Sequence, residues 1–522
     1  MLRGALRFAV VDEQGSRSSR VAALALAVTA TSTTCSLLSQ VMVAAVVGAQ
    51  ASYDAYVVAT SVPIGLSAMT HFGVTYGLVP RLAAAAIAEA RDLGSAAFTM
   101  LALAGLGVST GLWVLSPQLV GLLAPGFSAH TAAMAALMMR IALVGLAFDV
   151  ARSVLVAVNV ASGRAVLAQF ANVVWFTVWP LAVWAAYPRL GPISLAGAYA
   201  VAHATIFALL LASAVRARLV EVRPRGGGRA LGELVGLTLP AAVALLAMQA
   251  GPFVDRAVGS LLPGPTISYL TYATRPSDLF ARGAPQALGL VFFPLLARHA
   301  AARDWRRLRQ VTADLLRLAL LVAALAAVIL MVLRHQVLTL LYVHGAFGSG
   351  TAETVAGLLR WYAAAIVPLS VLSVLTFLLC GLRAWRPLLV LGTLSAVTGA
   401  ILDVALSRLL LAQGIAISAF CVACLTALGA GLIAGRAVPG ILNGVSAGWL
   451  LRVAGAAMAT LLLGTALERV LPAPHGPGQT LALLVPAGAG LAGVFVVALT
   501  ALRVPQTYPL LAVATRLLGH HI

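Results

Sequence analysis

The sequence predicts an all-α polytopic membrane protein with about 14 transmembrane helices, arranged as two parallel six-helix lobes followed by two extra carboxyl-terminal helices. Composition is the first observation behind this prediction. Of the 522 residues, 61% are hydrophobic and 9% are charged, and the mean hydropathy is +1.01. Soluble domains contain roughly 25% charged residues. The other two observations are the spacing of the apolar stretches and an internal repeat.

Apolar stretches long enough to cross a hydrocarbon core of roughly 30 Å recur along the whole chain. Because lipid offers no hydrogen-bond partner to an exposed backbone group, each such stretch is expected to be helical. The predicted spans are 21–47, 54–80, 95–122, 131–160, 166–187, 192–215, 232–260, 267–297, 314–342, 353–381, 388–411, 415–435, 447–470 and 479–502.

Arginines divide the loops into two classes. The chain has no lysine, and its formal net charge of +19 comes from arginine. Most of these arginines lie in both tails and in one set of alternating loops, including the run from Arg216 to Arg229. The other set of loops holds only Arg189, Arg334, Arg408 and Arg469. The positive-inside rule therefore predicts two cytoplasmic termini. A nucleic-acid partner is not predicted, because the arginines lie between spans and not along one soluble face.

The chain repeats at an offset of about 214 to 220 residues, which indicates duplicated units. The matches are LVPRLA (78–83) with FFPLLA (292–297), Phe127 with Phe347, and Arg140 with Arg360. Six spans return the chain to the same side of the membrane, so the two lobes are expected to be parallel. The predicted parts are a cytoplasmic amino tail (1–20), an amino lobe (21–215), a cytoplasmic linker (216–231), a carboxyl lobe (232–437), two further helices (447–502) and a cytoplasmic carboxyl tail (503–522).

The sequence contains no motif typical of an ATP-driven transporter or of an enzyme. Two facing lobes are typical of transporters that alternate access to a central site. The sequence contains no GxxxxGK(S/T) loop, so an ion gradient, the membrane potential or the substrate gradient is expected to drive transport. Paired carboxylates, HExxH and a nucleophile elbow are also missing, so an enzyme is not predicted. The CxxC of Cys421 and Cys424 has no nearby His or second pair, so no metal site, disulfide or other cofactor is predicted.

One charge lies deep in an apolar segment. Arg275 ends the string YATR (272–275) within the predicted span 267–297. A charge at that depth costs several kcal/mol unless it faces a wet cavity or a partner, so it marks a candidate functional site. The sequence therefore predicts that the chain handles an anion inside the membrane.

A set of short motifs carries a family resemblance. The motifs are FVDRAVGSLLPGPTISYLTYATR (253–275), GLVFFPLLARHAA (289–301), YDAYVVA (53–59), LAPGF (123–127) and HGAF (344–347). Together they resemble the MurJ (MviN) lipid II flippases, whose superfamily also includes drug and oligosaccharide-lipid exporters. The resemblance covers nearly all of the chain. It implies a bacterial inner-membrane protein of cell-wall biosynthesis that binds an undecaprenyl-diphosphate-linked glycan lipid, with membrane lipids and cell-wall synthesis proteins as further partners.

The resemblance also assigns candidate binding residues. Arg275 matches the cavity arginine of the family's eighth helix, and Asp54 matches the acidic residue that begins its second helix. An arginine suits a diphosphate because its guanidinium forms bidentate, charge-assisted hydrogen bonds. In the first helix, where the family carries charges, this chain has Ser39 and Gln40. Either the carboxyl lobe alone holds the anion, or the substrate differs.

Further ionisable residues are candidates by their spacing. Asp278 and Arg282 follow Arg275 at i+3 and i+7, which predicts a ladder of charges on one helical face. Asp149 and Arg152 are three residues apart, so they either contact substrate or an ion, or form a structural pair.

Two residues are candidates for coupling transport to an ion. His71 can titrate near neutral pH in a proton-coupled cycle, although an isolated His in a helix is more often a packing residue. Asp403 can bind a cation together with helix-end carbonyls.

Three functional hypotheses follow. The first is a flippase of lipid II or of another lipid-linked oligosaccharide. The second is a multidrug or cation antiporter of the same superfamily, which requires an acidic cavity. The third is a scaffold for envelope assembly that does not transport, which is consistent with the missing charges of the amino lobe.

Overall fold

The computed structural model describes residues 17–221, 228–469 and 477–504. Throughout these ranges the chain is built from α-helices joined by short turns, as the sequence predicts, and 11 helices are long and apolar enough to cross a membrane. The remaining predicted spans are 21–47, which is described in part, and 232–260 and 267–297, which are both divided. Parts of the predicted tails and of the linker 216–231 lie outside the described residues, so these boundaries stay predictions.

The helices of the first half pack mainly against one another. Helix α5 contacts α2, α3 and α7, and α1 contacts α6. The helices are α1 (Arg17–Val47), α2 (Ala51–Ala84), α3 (Ile87–Val114), α4 (Ser116–Leu123), α5 (Ala129–Ala161), α6 (Ala165–Leu190) and α7 (Ile193–Arg216).

The second half has the same order of packing, with α14 in the place of α5 and α8 against α15. Its helices are α8 (Gly228–Ala247), α9 (Gly251–Gly259), α10 (Thr266–Asp278), a π-helical turn (Leu279–Gly283), α11 (Ala284–Ala301), α12 (Trp305–Val332), α13 (Arg334–Tyr342), α14 (Ser349–Gly381), α15 (Trp385–Leu410) and α16 (Ala412–Ala437). Two further helices, α17 (Ala447–Glu468) and α18 (Pro477–Ala501), pack against α12 and α13.

Helix lengths agree with the repeat found in the sequence. A 28-residue helix followed by a short one occurs in both halves, as α3 and α4 and as α12 and α13. Helices α5 and α14 both have 33 residues, and α6 and α15 both have 26. The duplication therefore extends from the motifs to the helices themselves.

The halves differ where proline interrupts a span. Helix α2 runs for 34 residues without a break, whereas the equivalent span of the second half is divided at the π-helical turn. Pro276 precedes this turn and Pro285 follows it, and Pro252 begins α9 after the break from α8. Proline lacks an N–H and its ring clashes with the preceding turn, so these positions favour breaks, although α2 stays continuous through Pro63 and Pro80.

The two halves meet at one end of the bundle, which we call the closed end and define as residues 45–54, 124–128, 259–268 and 343–348. There the amide of Ala346 donates to the carbonyl of Ala45 over 2.9 Å, and the amide of Gly126 donates to Oγ of Ser260 over 3.1 Å. The two donors, Gly126 and Ala346, are equivalent under the repeat, whereas the acceptor is a backbone carbonyl in one contact and a side-chain hydroxyl in the other. Gly345 has φ +58°, and a Cβ on it would overlap the backbone of Ala45. The approach of the two halves thus requires glycine.

Candidate functional site

A buried carboxylate joins the halves at the closed end. Asp54 lies in the first turn of α2 and is 4% exposed. The amide of Ser268 donates to Asp54 Oδ1 over 2.6 Å, and the Ser268 hydroxyl donates to the same oxygen. Ser268 lies in the first turn of α10, where free amides and the helix dipole favour a carboxylate. The two residues occupy equivalent repeat positions, so this contact lies on the axis that relates the halves.

Three neighbouring contacts extend this junction toward the middle of the bundle. The Tyr272 hydroxyl donates to the carbonyl of Gly48 over 3.1 Å. Further along α2, Nη1 of Arg256 donates to Oγ of Ser61 over 2.8 Å. Phe253 packs directly on Gly65, where a Cβ would overlap its ring. Side chains of α9 and α10 thus fit against α2 over about its first four turns.

Arg275 lies between the two halves, in the last turn of α10. Its side chain is exposed, and it forms no hydrogen bond or ion pair with the side chains that the structure describes. Its charge interacts with Tyr53 and Tyr56 of α2 and with Tyr342 of α13. An exposed guanidinium at this depth is available to an anionic ligand that enters between the halves. Its role as a ligand stays a prediction.

The predicted charge ladder does not follow one regular helix. The π-helical turn at Leu279–Gly283 begins directly after Asp278 and includes the backbone of Arg282. A π turn inserts one residue, so the i+7 spacing from Arg275 no longer returns to the same face. Asp278 is half-buried and its charge acts on Tyr362. The prediction for Arg282 concerns a side chain outside those described.

The amino half holds a buried polar cluster, which we call the amino cluster and define as His71, Asp149, Arg152 and His203. Nε of Arg152 donates to Asp149 Oδ1 over 2.6 Å, and Nδ1 of His203 lies 3.1 Å from the same oxygen. Nη2 of Arg152 lies 2.7 Å from Nε2 of His71, which is 3.5 Å from Asp149 Oδ2. Arg152 is therefore already paired within the protein.

Asp403 in α15 belongs to a second acidic site. It is 1% exposed, it contacts Ser418 and Asp255, and its Oδ2 has no hydrogen-bond partner among the described residues. Interaction between two carboxyl groups in a buried site disfavours the ionisation of both. No group of three or more His, Cys, Asp or Glu residues that could hold a metal occurs in the described chain. Cation coupling at Asp403 stays a prediction.

Ser39 and Gln40 are buried in α1. The Ser39 hydroxyl donates to the carbonyl of Ser36 over 2.8 Å, and Oε1 of Gln40 has no hydrogen-bond partner within the described residues. The structure thus shows one local contact and one unpartnered oxygen, and a role of either residue in binding stays a prediction.

Sequence reasoning missed two residues of these sites. His203 completes the amino cluster, and it is an isolated His in an apolar helix, like His71. Arg256 was assigned no contact from the sequence, and its Nη1 donates to Oγ of Ser61 in the other half. Helical spacing reveals pairs such as Asp149 and Arg152 but does not show which helices are neighbours.

The repeated halves and the charges at their junction define a polytopic membrane protein with a transporter fold. The family described as lipid II flippase MurJ matches residues 43–485, and the chain belongs to this family. The family indicated by the sequence motifs is thus confirmed. No curated protein matches the chain by direct sequence comparison.

Solved structures agree on the fold. A structure of the lipid II flippase MurJ in an inward closed conformation has a TM-score of 0.74 and 17% identity, and covers 90% of this chain and 97% of its own. An inward-facing multidrug resistance MATE family transporter of the MOP superfamily has a TM-score of 0.68 and 15% identity, and the match covers 81% of this chain and 100% of that one. A MOP superfamily transporter from Pyrococcus furiosus has a TM-score of 0.64 and 14% identity, and the match covers 84% of this chain and 98% of that one.

Proposed function

We propose that this protein moves lipid II, an undecaprenyl-diphosphate-linked peptidoglycan precursor, across the bacterial inner membrane by alternating access. The observation that carries the proposal is Arg275, which is exposed between the halves and is not paired with a described side chain. Its guanidinium is suited to a diphosphate because it stays charged and bonds two oxygens at once. Family membership supports the same substrate class.

The closed end has the position of an outer gate. If the arginine-rich loops are cytoplasmic, residues 48–50 and 260–265 face the periplasm. The contacts of Asp54 with Ser268 and of Ala346 with Ala45 then close that side, and the precursor headgroup enters from the cytoplasm. Release requires these contacts to separate. Alternating access of this kind is a rocking of one half against the other about a fixed site.

The charge at the junction disfavours a cation antiporter. Arg275 and Arg256 both lie near the contact between the halves, and the charge of each acts on the other. A cationic drug entering this space would meet positive potential, whereas a diphosphate would be attracted. The acidic pair of Asp255 and Asp403 interacts with Tyr362 of α14, within the second half.

Arg275→Ala is the direct test of the anion site. It should remove a charge-assisted contact worth roughly 1.5–3 kcal/mol and weaken precursor binding by about ten- to a hundredfold. Arg275→Lys keeps the charge but loses the planar fork, so partial recovery is expected. The measurement is binding and flipping of a fluorescent undecaprenyl-diphosphate glycan by purified protein in liposomes.

Arg360→Ala is the matched control, because Arg360 is an exposed arginine of α14 that stacks over Trp361. It should flip the lipid as well as wild type does. A folded Arg275→Ala protein with unchanged flipping would show that Arg275 is structural. A wild-type protein that neither flips the lipid nor complements a flippase-depleted bacterium would favour the scaffold hypothesis.

A further inference from the structure

The hydrogen bonds of the amino cluster fit one protonation state, in which both of its histidines are neutral. Nη2 of Arg152 always carries hydrogen, so Nε2 of His71, 2.7 Å away, accepts through its lone pair. His71 is therefore neutral, with its proton on Nδ1. His203 presents Nδ1 to Asp149 Oδ1, which also accepts from Arg152. With both histidines neutral, the charges of Asp149 and Arg152 cancel.

A proton added to His71 would change its partners. Nε2 would become a donor and could no longer accept from Arg152. The nearest acceptor is Oδ2 of Asp149, 3.5 Å away. The buried cluster would then hold one net positive charge, and Nη2 of Arg152 would keep only its contact with Asp149 Oδ1. An extra charge in a buried site favours any rearrangement that brings water or an anion to it.

His71 is the member that solvent reaches. Its side chain is 28% exposed, whereas those of Asp149, Arg152 and His203 are at most 10% exposed. Along α2 it lies 17 residues from Asp54, or about 25 Å at 1.5 Å per residue. A proton would thus reach His71 from the side of the bundle away from the closed end.

An unbroken series of aromatic contacts connects this cluster to the closed end. We call it the aromatic column and define it as Tyr272, Tyr53, Tyr56, Trp179, Trp175 and His203. Successive ring centroids are 5.0, 5.9, 6.0, 5.5 and 5.7 Å apart. Tyr272 belongs to the second half and the other rings belong to the first. Closely packed rings have few alternative arrangements, so a shift of His203 is transmitted to its neighbours.

We propose that the amino cluster is a proton-binding site in which a proton taken up on Nε2 of His71 exchanges Arg152 for Asp149 as its partner and, through the aromatic column, loosens the closed end. The proposal goes beyond lipid transport, because it assigns a second ligand, the proton, to a different part of the protein. Among the described side chains, the ionisable groups that face the cluster are its own members and Tyr199 of α7. Helix α8 also packs on α2, and the side chains of its Arg229 and Glu233 lie outside those described.

Distances across the closed end test the coupling. Cysteines at Ala129 and Ser349, both exposed and equivalent under the repeat, are spin-labelled in the full-length protein after its four native cysteines are replaced. In lipid nanodiscs without substrate, the long-distance population should rise about fivefold or more between about pH 8 and about pH 5. His71→Gln should abolish this rise, whereas His130→Gln, at an exposed site, should retain it.

Nitrogen-15 NMR of histidine-labelled protein measures proton uptake at the same site. The signal that is lost in His71→Gln should titrate in this range in the wild type. Should His71→Gln fail to fold, the proposal is tested by the wild-type spectra and by the label distances in His203→Gln. A His71 ring that stays neutral throughout, or distances that do not change with pH in wild type, would overturn the proposal.

Trp179→Leu tests the aromatic column. It should leave the His71 titration in place and abolish the distance change, because the column is broken between Tyr56 and Trp175. Trp184→Leu on the same helix is the control, since Trp184 is 61% exposed and outside the column. A normal distance response in Trp179→Leu would remove the column from the proposal. None of these measurements uses a lipid substrate, so their failure is distinct from failure to flip.

Discussion

The two halves of the protein share helix lengths and packing order but differ in how they hold charges. In the amino half, Asp149 and Arg152 neutralise each other beside two histidines. The equivalent positions of the second half are Leu369 and Leu372. The second half instead exposes Arg275 between the halves. The two halves thus share an architecture and differ in where their charged side chains lie.

The two halves also differ in the continuity of one equivalent span. Helix α2 is continuous, whereas the equivalent span of the second half is broken into α10, a π-helical turn and α11. Broken helices in a membrane free backbone groups that must be satisfied by protein or by a wet cavity. The half with the broken span also carries the exposed arginine, so both features are consistent with the anion site proposed for Arg275.

Breaking the buried ion pair should have the largest effect. Asp149→Leu leaves Arg152 buried without its carboxylate and should destabilise the protein by about 3–5 kcal/mol. The double variant Asp149→Leu/Arg152→Leu copies Leu369 and Leu372 of the other half, so it should recover much of this loss. Thermal and chemical unfolding in detergent measure both.

Asp314→Leu is the control for that experiment. Asp314 and Arg317 have the same i,i+3 spacing on α12, but Asp314 is half exposed. Its loss should cost only about 0–1 kcal/mol. A single Asp149→Leu variant as stable as the control would mean that the amino cluster does not depend on its ion pair.

Substitution of two glycines at the closed end should have the next largest effect on stability. Gly345→Ala and Gly126→Ala each place a methyl group against the backbone of the other half. Overpacking of this kind costs typically 1–3 kcal/mol, so both variants should separate the closed end. The distance between labels at Ala129 and Ser349 should lengthen in each.

Gly121→Ala and Gly350→Ala are matched controls, because nothing lies within 4 Å of a Cβ at either position. Both should keep the wild-type distance. If only one of the two closed-end variants opens, the other close approach does not hold the closed end together.

Much of the fold could be predicted from the sequence. Span length and apolar composition are local properties, and the repeat offset found from Phe127 and Phe347 agrees with the helix starts at Ala129 and Ser349. Arg275 could be singled out because a charge within an apolar span is visible in the sequence itself. The breaks in the seventh and eighth spans were not foreseen, since membrane helices often tolerate proline.

The contacts that build the candidate sites could be predicted only in part from the sequence. Asp149 and Arg152 were paired by spacing within one helix, but His203 joins them from another helix 54 residues away. The contact of Asp54 with Ser268 links positions 214 residues apart. Hydrophobic periodicity gives the face of a helix and not its neighbour, so contacts between helices required the three-dimensional structure.

Asp54→Asn tests the symmetric contact at a smaller scale. An amide can still accept from Ser268 but loses its charge at the start of α10, which should weaken the closed end by about 1–2 kcal/mol. Ser268→Ala removes the hydroxyl and keeps the amide donor, so its effect should be smaller, about 0.5–1.5 kcal/mol. The label distances report the open fraction in both. An equal or larger effect of Ser268→Ala would mean that the hydroxyl, and not the charge at the helix start, holds the contact.

Gln40→Met should have the smallest effect and tests whether the amino half has given up anion binding. Gln40 is 6% exposed, and its Oε1 lacks a partner among the described residues. Replacing an unsatisfied amide with an apolar side chain of similar volume is often neutral or stabilising, so lipid flipping should stay within about twofold of wild type. Ser39→Ala should behave likewise, because the Ser39 hydroxyl bonds within its own helix. A tenfold loss of flipping in either folded variant, comparable to that expected for Arg275→Ala, would place a substrate contact in α1. The two halves would then share the anion, and the division of roles between them would fail.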